Sequence, residues 1–263
     1  MLRILMLAVI ALAMPELSWA DQSPDGLIAG TTFKTGTPLQ KYGALASIRA
    51  IPIDKRDPSV LIALLDELNH LDHQRQEQRA AMVAGTPVAP PEDEGDYLFS
   101  VLELVVEYKD PRIIRPLLPF ITTGNKVIDA IAGFGELSVA DVAAVAALDD
   151  LSIPRIANLD RVSSALVTLR RILDHQQEHP VSEATRRRIA RVAGQRLTGV
   201  QDGVVVGRAA ELGVKTGDSA LIQKIRRLAS DDAAVREFGV VDPGLVREVE
   251  SRAATALREY DQR

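Results

Sequence analysis

Four residue pairs in the chain combine a capping side chain with a following proline, which is a start signal for an α-helix: Thr37-Pro38, Asp57-Pro58, Asp110-Pro111 and Asp242-Pro243. The side-chain oxygen of Asp or Thr accepts hydrogen bonds from the free N–H groups of the first helical turn. Proline fits the first helical position because an N–H there would have no partner within the helix. Each pair therefore predicts a helix that begins at the proline.

Apolar residues follow these signals at helical spacing, as in the leucine stripe after Asp57-Pro58: Leu61, Leu64, Leu68 and Leu71. Other residues predict four further helix starts and one helix end: Ser138, Asp160, Ser182, Asp218 and, for the end, Gly213. The β-branched run Val204–Val206 keeps the helical period and predicts no strand. We therefore predict an all-α fold with about eleven or twelve helices of roughly 10 to 18 residues.

Short helices with short connections favour an array of repeats, because one amphipathic hairpin cannot bury its own apolar face. The aromatic content of 4% fits a core of Leu, Ile, Val and Ala between packed helices. The chain has no cysteine, which excludes disulfides, thiolate zinc sites and a cysteine nucleophile.

The first twenty residues have the pattern of a secretory signal peptide. Arg3 supplies a positive start, Ile4–Met14 is an apolar run, and Ser18-Trp19-Ala20 fits the small-x-small cleavage rule. This run is shorter than the roughly 20 residues that span a bilayer. An uncleaved anchor or a different start site is the alternative. We expect a secreted protein, periplasmic in a Gram-negative bacterium, with no stable membrane insertion.

The rest of the chain falls into segments that differ in composition. Residues 21–36 are polar and are predicted to form a flexible mature N-terminus. Residues 80–95 contain three prolines, two glycines and an acidic cluster, which predict a flexible insertion. The remainder of 37–263 is predicted to be one helical domain. Its net charge is uneven, since residues 1–160 carry −9 and residues 161–263 carry +4.

Residues 110–137, DPRIIRPLLPFITTGNKVIDAIAGFGEL, resemble a HEAT-like repeat of the type named after phycobilisome lyases. In that family an Asp-Pro pair opens helix A, a leucine pair lies at its centre, and small residues line helix B. Parts of the same pattern return at 57–68, 207–231 and 246–260, whereas 138–200 departs from it. The resemblance implies an α-α superhelix of about five to six helical hairpins.

The resemblance also implies where a partner would bind. In HEAT-like proteins the B helices line the inner surface, here segments 97–108, 124–135 and 203–213. A non-enzymatic scaffold or adaptor that binds another protein or an extended peptide is the leading hypothesis. Some relatives act in chromophore attachment, so an accessory enzyme or lyase-like factor is the alternative. No catalytic residue and no cofactor is predicted, and a pI near 5.5 argues against nucleic acid as a partner.

The stretch HQQEH, residues 175–179, has the spacing of an inverted zinc-hydrolase motif. Such a motif needs a rigid helix and a distant third ligand. Pro180 follows at once and favours a helix end, where His175 and His179 would complement the partial negative charge of the helix C-terminus. We favour this capping role, with weak metal binding as the alternative.

A second row of possible ligands comprises Asp66, His70, His73 and Glu77, which share one helix face. That face lies opposite the leucine stripe and is predicted to face solvent, with weak metal binding through His70 and His73 as the alternative. No metal site is therefore predicted.

A basic segment comprises Arg186, Arg187, Arg188 and Arg191, with Arg170 and Arg171 on the preceding helix. Consecutive arginines point in different directions around a helix, so they do not form one clamp. We favour a solvated face paired with Glu183 and Asp174. The alternative is that Arg186–Arg191 binds an anionic surface of a partner.

Overall fold

The computed structural model describes residues 31–85, 94–148, 155–198, 202–237, 240 and 242–262. Within these ranges the chain forms thirteen α-helices and no β-strand, which confirms the predicted all-α fold class. The proposed signal peptide, with Trp19, and most of segment 21–36 lie outside the described residues, as do residues 86–93 of the predicted insertion 80–95.

The helices are numbered in chain order: α1 (Phe33–Thr35), α2 (Pro38–Ala50), α3 (Pro58–Val83), α4 (Glu94–Val105), α5 (Ile114–Leu117), α6 (Asn125–Ala132), α7 (Glu136–Ala147), α8 (Arg155–Asp174), α9 (Glu183–Arg196), α10 (Gly203–Thr216), α11 (Ser219–Ser230), α12 (Asp232–Glu237) and α13 (Pro243–Asp261). Short 3-10 helices occur at Ile53–Lys55, Pro111–Ile113 and Leu118–Phe120. The helix lengths, from 3 to 26 residues, are more varied than the sequence predicts.

The chain divides into two compact units, Met1–Glu67 and Leu68–Arg263, with the boundary inside α3. The first unit buries apolar side chains of α2 and of the start of α3, including Leu45, Ile48 and Leu64. Glu67, which is only 4% exposed, accepts a hydrogen bond from Nζ of Lys41 at 2.8 Å. This pairing offsets part of the cost of burying a carboxylate.

Helices of the second unit are arranged in two layers. Helices α6, α8, α10 and α13 pack side by side in that order and form one layer, called here the B layer. Helices α7, α9 and α11 form the other layer, where Gly194 of α9 lies against Leu221 of α11. Across the layers, α7 packs on α8, α9 on α10 and α11 on α13. The apolar core of this unit lies between the two layers.

The B layer has an internal period of 41 residues. Four buried positions of α6 recur in α8 and again in α10 when 41 is added to each residue number. The three sets, in order, are Val127, Ile128, Ile131, Ala132; Thr168, Leu169, Ile172, Leu173; and Ala209, Ala210, Gly213, Val214. These three helices therefore bury equivalent positions at a constant spacing along the chain.

Local start signals were correct where the capping side chain acts on its own first turn. Thr37 forms a reciprocal capping box with Gln40 at the start of α2. Asp218 accepts from the backbone N–H of Leu221, and Asp242 accepts from Gly244 and Leu245. Ser182 likewise caps α9, and Asp57 accepts from the N–H of Ser59 at the start of α3.

Three other boundaries were predicted wrongly. Helix α8 begins at Arg155, so Asp160 lies inside it and does not cap it. Helix α7 begins at Glu136, and Ser138 is buried with its hydroxyl donating to the carbonyl of Gly135. Helix α10 continues through Gly213 to Thr216 and is followed by Gly217, whose φ of 74° is the left-handed conformation typical of a terminating glycine.

The Asp110-Pro111 start opens a segmented helix. Asp110 accepts from the N–H of Arg112, but Pro111–Ile113 is a 3-10 turn, followed by α5 and the 3-10 turn Leu118–Phe120. Pro116 and Pro119 each lack an N–H for the helical ladder, which accounts for the short segments. The Asp110-Pro111 pair had predicted one helix beginning at Pro111.

Candidate binding groove

Four charged residues of alternating sign mark the B layer at the 41-residue period: Asp129, Arg170, Glu211 and Arg252. They lie on α6, α8, α10 and α13, one on each helix. Because neighbouring helices carry opposite charges at equivalent positions, each helix can pair with the next across the layer. We call this row the charge ladder.

Glu211 is the centre of the ladder. Its carboxylate accepts hydrogen bonds from Nη1 of Arg170 at 2.6 Å and from Nη1 of Arg252 at 3.2 Å. Nη1 of Arg208, one turn earlier on α10, also donates to it at 3.2 Å. At the other end of the ladder, Arg171 pairs with Asp129 and donates to the side chain of Asn125. The three helices α8, α10 and α13 are therefore joined through one carboxylate.

The side chains around Glu211 are partly buried. Glu211 is 14% exposed, and the three arginines are between 27% and 32% exposed. Burial lowers the pKa of the Arg252 guanidinium, but its hydrogen bonds to Glu248 and Glu211 outweigh this and raise the pKa overall. Arg252 thus stays charged, and the carboxylate of Glu211 is held by charge-assisted hydrogen bonds.

A glycine makes room for this cluster. A Cβ placed on Gly207 would lie 2.4 Å from Cδ of Arg252, far inside ordinary contact distance. The absence of a side chain at this point lets the stem of Arg252 lie directly on the backbone of α10. The neighbouring Gly203 has the same relation to Leu245, at 2.7 Å. Helices α10 and α13 therefore approach each other closely along this edge.

A cavity of about 160 Å³ lies beside the ladder. It is lined by residues of all three helices: Arg170, Glu211, Val214, Lys215, Arg252, Thr255, Ala256 and Glu259. Lys215 pairs with Asp174 at 2.7 Å, and Thr255 accepts a hydrogen bond from Nη2 of Arg258 at 3.1 Å. We call the surface formed by this cavity and the Glu211 cluster the arginine groove.

The HQQEH stretch is not on a helix. Helix α8 ends at Asp174, so residues 175–179 form the turn that follows it. His175 is about half exposed, with Nδ1 4.0 Å from the carboxylate of Glu178. The Cβ of His179 packs near Gly135. The stretch therefore follows the helix C-terminus, as predicted for a cap and not for a rigid zinc-binding helix.

The row Asp66, His70, His73 and Glu77 faces solvent, as predicted, and His73 lies 3.2 Å from Glu77. His73 and Glu77 also line a wider cleft of about 550 Å³ between α3, Pro119 and the start of α8. The sequence did not predict this cleft. In the part of the chain that the structure describes, no group of three or more His, Asp or Glu side chains is arranged to hold a metal ion.

The basic segment divides between two surfaces. Arg187 and Arg186 pair with Glu183 on α9, at 3.1 and 4.0 Å. The predicted pairing with Asp174 is wrong, because Asp174 binds Lys215 instead. Arg170 belongs to the charge ladder and Arg171 pairs with its first member, Asp129, so neither extends the α9 surface.

Sequence reasoning missed Glu211 and Arg252 because no local motif surrounds them. Each lies 41 residues from its partner, so their proximity depends on the register of three helices. The period itself was a usable signal. A search for opposite charges at a constant separation along the sequence would have found Asp129, Arg170, Glu211 and Arg252.

An apolar groove of about 310 Å³ lies between α4 and the start of α6, lined by Leu102, Val106 and Val127, with Phe99 half exposed at its side.

Among the described helices, none has both the length and the apolar composition of a membrane span. No family model, curated protein or solved structure matches the chain.

Proposed function

We propose that the chain is a HEAT-like α-solenoid that acts as a non-enzymatic scaffold or adaptor for another protein or an extended peptide. The observation that carries the proposal is the 41-residue period of the B layer. HEAT and armadillo repeats have periods of about 40 to 47 residues. Stacked repeats of this kind present an extended surface, which suits a protein or peptide partner better than a small substrate.

The B layer is the proposed binding surface. It contains two of the three segments that the sequence resemblance assigns to an inner surface, 124–135 and 203–213. Its helices carry the charge ladder and the arginine groove, so the surface combines fixed charges with a recess. Charges arranged in this way favour partner selection and orientation.

A crosslinking experiment with a matched control tests this proposal. A photo-crosslinking amino acid is placed at Thr255, exposed in the arginine groove, or at Gln195, exposed on α9 of the other layer. We expect one discrete, stoichiometric adduct in native extract from Thr255 and none from Gln195. Equal labelling at both positions, or none at either, would contradict binding through the B layer.

The basic face of α9 supports a second candidate function, binding to an anionic surface. Arg188 and Arg191 are exposed, and among the described residues neither forms an ion pair. They are three residues apart and lie on the same side of the helix. If this face binds anionic vesicles, then Arg188→Gln with Arg191→Gln should abolish binding, whereas Arg226→Gln on α11 should not.

We also propose secretion, on the basis of residues 1–20. Trp19 is the one tryptophan of the chain and precedes the proposed cleavage point after Ala20. Protein isolated from its native compartment should therefore show no tryptophan fluorescence. Tryptophan emission together with an intact N-terminus by mass spectrometry would contradict cleavage.

A further inference from the structure

The arginine groove holds more hydrogen-bond donors than its own carboxylates can accept. A guanidinium has five N–H donors, so Arg170, Arg208 and Arg252 offer about fifteen, whereas the carboxylates of Glu211 and Glu248 together have about eight acceptor sites. Glu211 already accepts from all three arginines, and Glu248 accepts from Arg252. Nε of Arg170 and of Arg208 is buried and has no hydrogen-bond partner among the described residues.

The charges around the groove leave a small positive excess. The cations are Arg170, Arg208, Lys215, Arg252 and Arg258, and the carboxylates are Asp174, Glu211, Glu248 and Glu259. Asp174, Glu211 and Glu248 are all engaged in ion pairs with these cations. Glu259 lines the cavity and forms no ion pair with a described residue. The groove can therefore accept one further negative charge.

The cavity has the size and lining for a small anionic group. Its volume of about 160 Å³ equals that of roughly five water molecules at about 30 Å³ each. Arg170 on α8 and Arg252 on α13 line it from two sides, and Lys215 and the hydroxyl of Thr255 complete its polar wall. Planar guanidinium groups bind carboxylates through paired N–H···O hydrogen bonds.

We propose that the arginine groove is a carboxylate-binding site that receives an acidic side chain of the protein partner. The inference rests on the proposed scaffold function and adds the chemistry of the partner, an acidic segment that crosses α8, α10 and α13. The partner's carboxylate binds those N–H groups of Arg170 and Arg252 that Glu211 and Glu248 do not use, and takes the place of solvent in the cavity. Glu259 at the cavity wall repels it and lowers the affinity.

Binding of charged peptides to the full chain tests this inference. Fluorescence anisotropy is measured with a labelled peptide of alternating glutamate and glycine and with its lysine counterpart. We expect the acidic peptide alone to bind, with an affinity that falls as salt is added. Arg252→Gln should weaken binding about tenfold, because a charge-assisted hydrogen bond is lost. Arg226→Gln alters an exposed arginine of α11 that pairs with Asp261 of α13 and does not line the groove, so it is the control and should change nothing.

Glu259→Gln gives a second test that does not depend on the ion-pair cluster. This variant removes an exposed carboxylate that forms no ion pair with a described residue, so the fold should be unaffected. We expect the acidic peptide to bind about two to five times more tightly, a change typical of one exposed charge. Equal binding of both peptides, or no gain from Glu259→Gln, would overturn the inference.

Failure of the carboxylate site can be distinguished from failure of the scaffold proposal. If Thr255 crosslinks to a discrete partner and this adduct is unchanged by Glu259→Gln and Arg252→Gln, the scaffold stands and the carboxylate site is wrong. If neither peptide binds and Thr255 yields no adduct, both fail. Circular dichroism of Arg252→Gln shows whether loss of binding reflects loss of fold.

Discussion

Gly207 of α10 lies against the side chain of Arg252, with its hypothetical Cβ 2.4 Å from Cδ of the arginine. Arg252 also pairs with Glu211. The close packing of Arg252 on Gly207 therefore helps to set the geometry of the ion-pair network. The close approach of α10 and α13 thus depends on a residue that has no side chain.

The first prediction follows from this contact. Gly207→Ala should displace Arg252 from Glu211 and reduce the free energy of unfolding by about 1 kcal/mol. Overpacking costs about 1 to 3 kcal/mol, and the helix propensity of alanine returns about 1 kcal/mol or less. Gly43→Ala is the matched control, because Gly43 lies in α2 with nothing within 4 Å of an added Cβ. Gly43→Ala should raise the free energy of unfolding, measured with urea, by about 0.5 to 1 kcal/mol. Equal effects at the two positions would contradict the packing role of Gly207.

Arg196 carries the second prediction. It is 6% exposed, and it donates from Nε to the carbonyl of Ala146 at 2.7 Å and from Nη2 to Leu148 at 2.9 Å. These carbonyls lie at the C-terminus of α7, where a cation is favourable. Arg196→Met should lower the free energy of unfolding by about 2 to 3 kcal/mol, because two acceptors lose their donor.

The matched control for Arg196 is Arg187→Met on the same helix. Arg187 is 75% exposed and pairs with Glu183, so its replacement should change stability by about 0.5 kcal/mol or less. Arg196→Lys keeps the charge but not the planar pair of donors. Its loss of stability should therefore lie between those of Arg196→Met and Arg187→Met. A loss at Arg196 no larger than that at Arg187 would show that the capping bonds are unimportant.

Much of the helix order could be predicted from the sequence, because capping is local. Thr37, Asp218 and Asp242 act on N–H groups within three residues, so the sequence alone indicates each start. Asp160 has the same residue type, but it lies within α8 and caps nothing. Gly213 was predicted as a terminator, but it lies within α10, where an added Cβ would meet Cδ1 of Ile225 at 2.9 Å. Helix-to-helix packing, and not local preference, selects glycine at that position.

The candidate site could not be predicted in the same way. Arg170, Glu211 and Arg252 look like ordinary surface charges in their local sequence. Their meeting depends on the 41-residue register, which is a property of three helices packed together. Conversely, the local motif HQQEH was conspicuous in the sequence, but it forms the turn after α8 and gathers no further ligand among the described residues.

The third prediction concerns Glu136, which joins the start of α7 to the start of α9. Its carboxylate accepts from the N–H and hydroxyl of Ser182 and from the hydroxyl of Thr185. The hydroxyl of Ser182, then that of Thr185, lowers the pKa of Glu136 below its ordinary value of 4.5. A lowered pKa in the folded state means that the stabilisation is complete above pH 4.5 and is lost as the pH falls through the folded-state pKa.

Urea unfolding between pH 7 and pH 3 measures this effect. Glu136→Gln should reduce stability at pH 7, and the difference from the unmodified protein should shrink as the pH falls below 4.5. Asp141→Asn serves as the control, because Asp141 is an acid on the same helix that pairs with Arg115 and not with the start of α9. A difference for Glu136→Gln that stays constant down to pH 3 would mean that its ionised form has no special stabilising role.

The fourth prediction has the opposite sign. A hydrogen bond to Asp232 of α12, then burial, raises the pKa of Glu250 of α13 above its ordinary value of 4.5. A raised folded-state pKa for an acid gives stabilisation that is present below 4.5 and is lost as the pH rises through the folded-state pKa. Above its folded-state pKa, the ionised Glu250 faces the like charges of Asp232 and Asp231. Glu250→Gln should therefore stabilise the protein at pH 7, by less than about 1 kcal/mol at this accessible site, and have little effect at pH 4. Thermal unfolding of both proteins at the two pH values measures the effect, and a stabilisation equal at pH 4 and pH 7 would exclude charge repulsion as its cause.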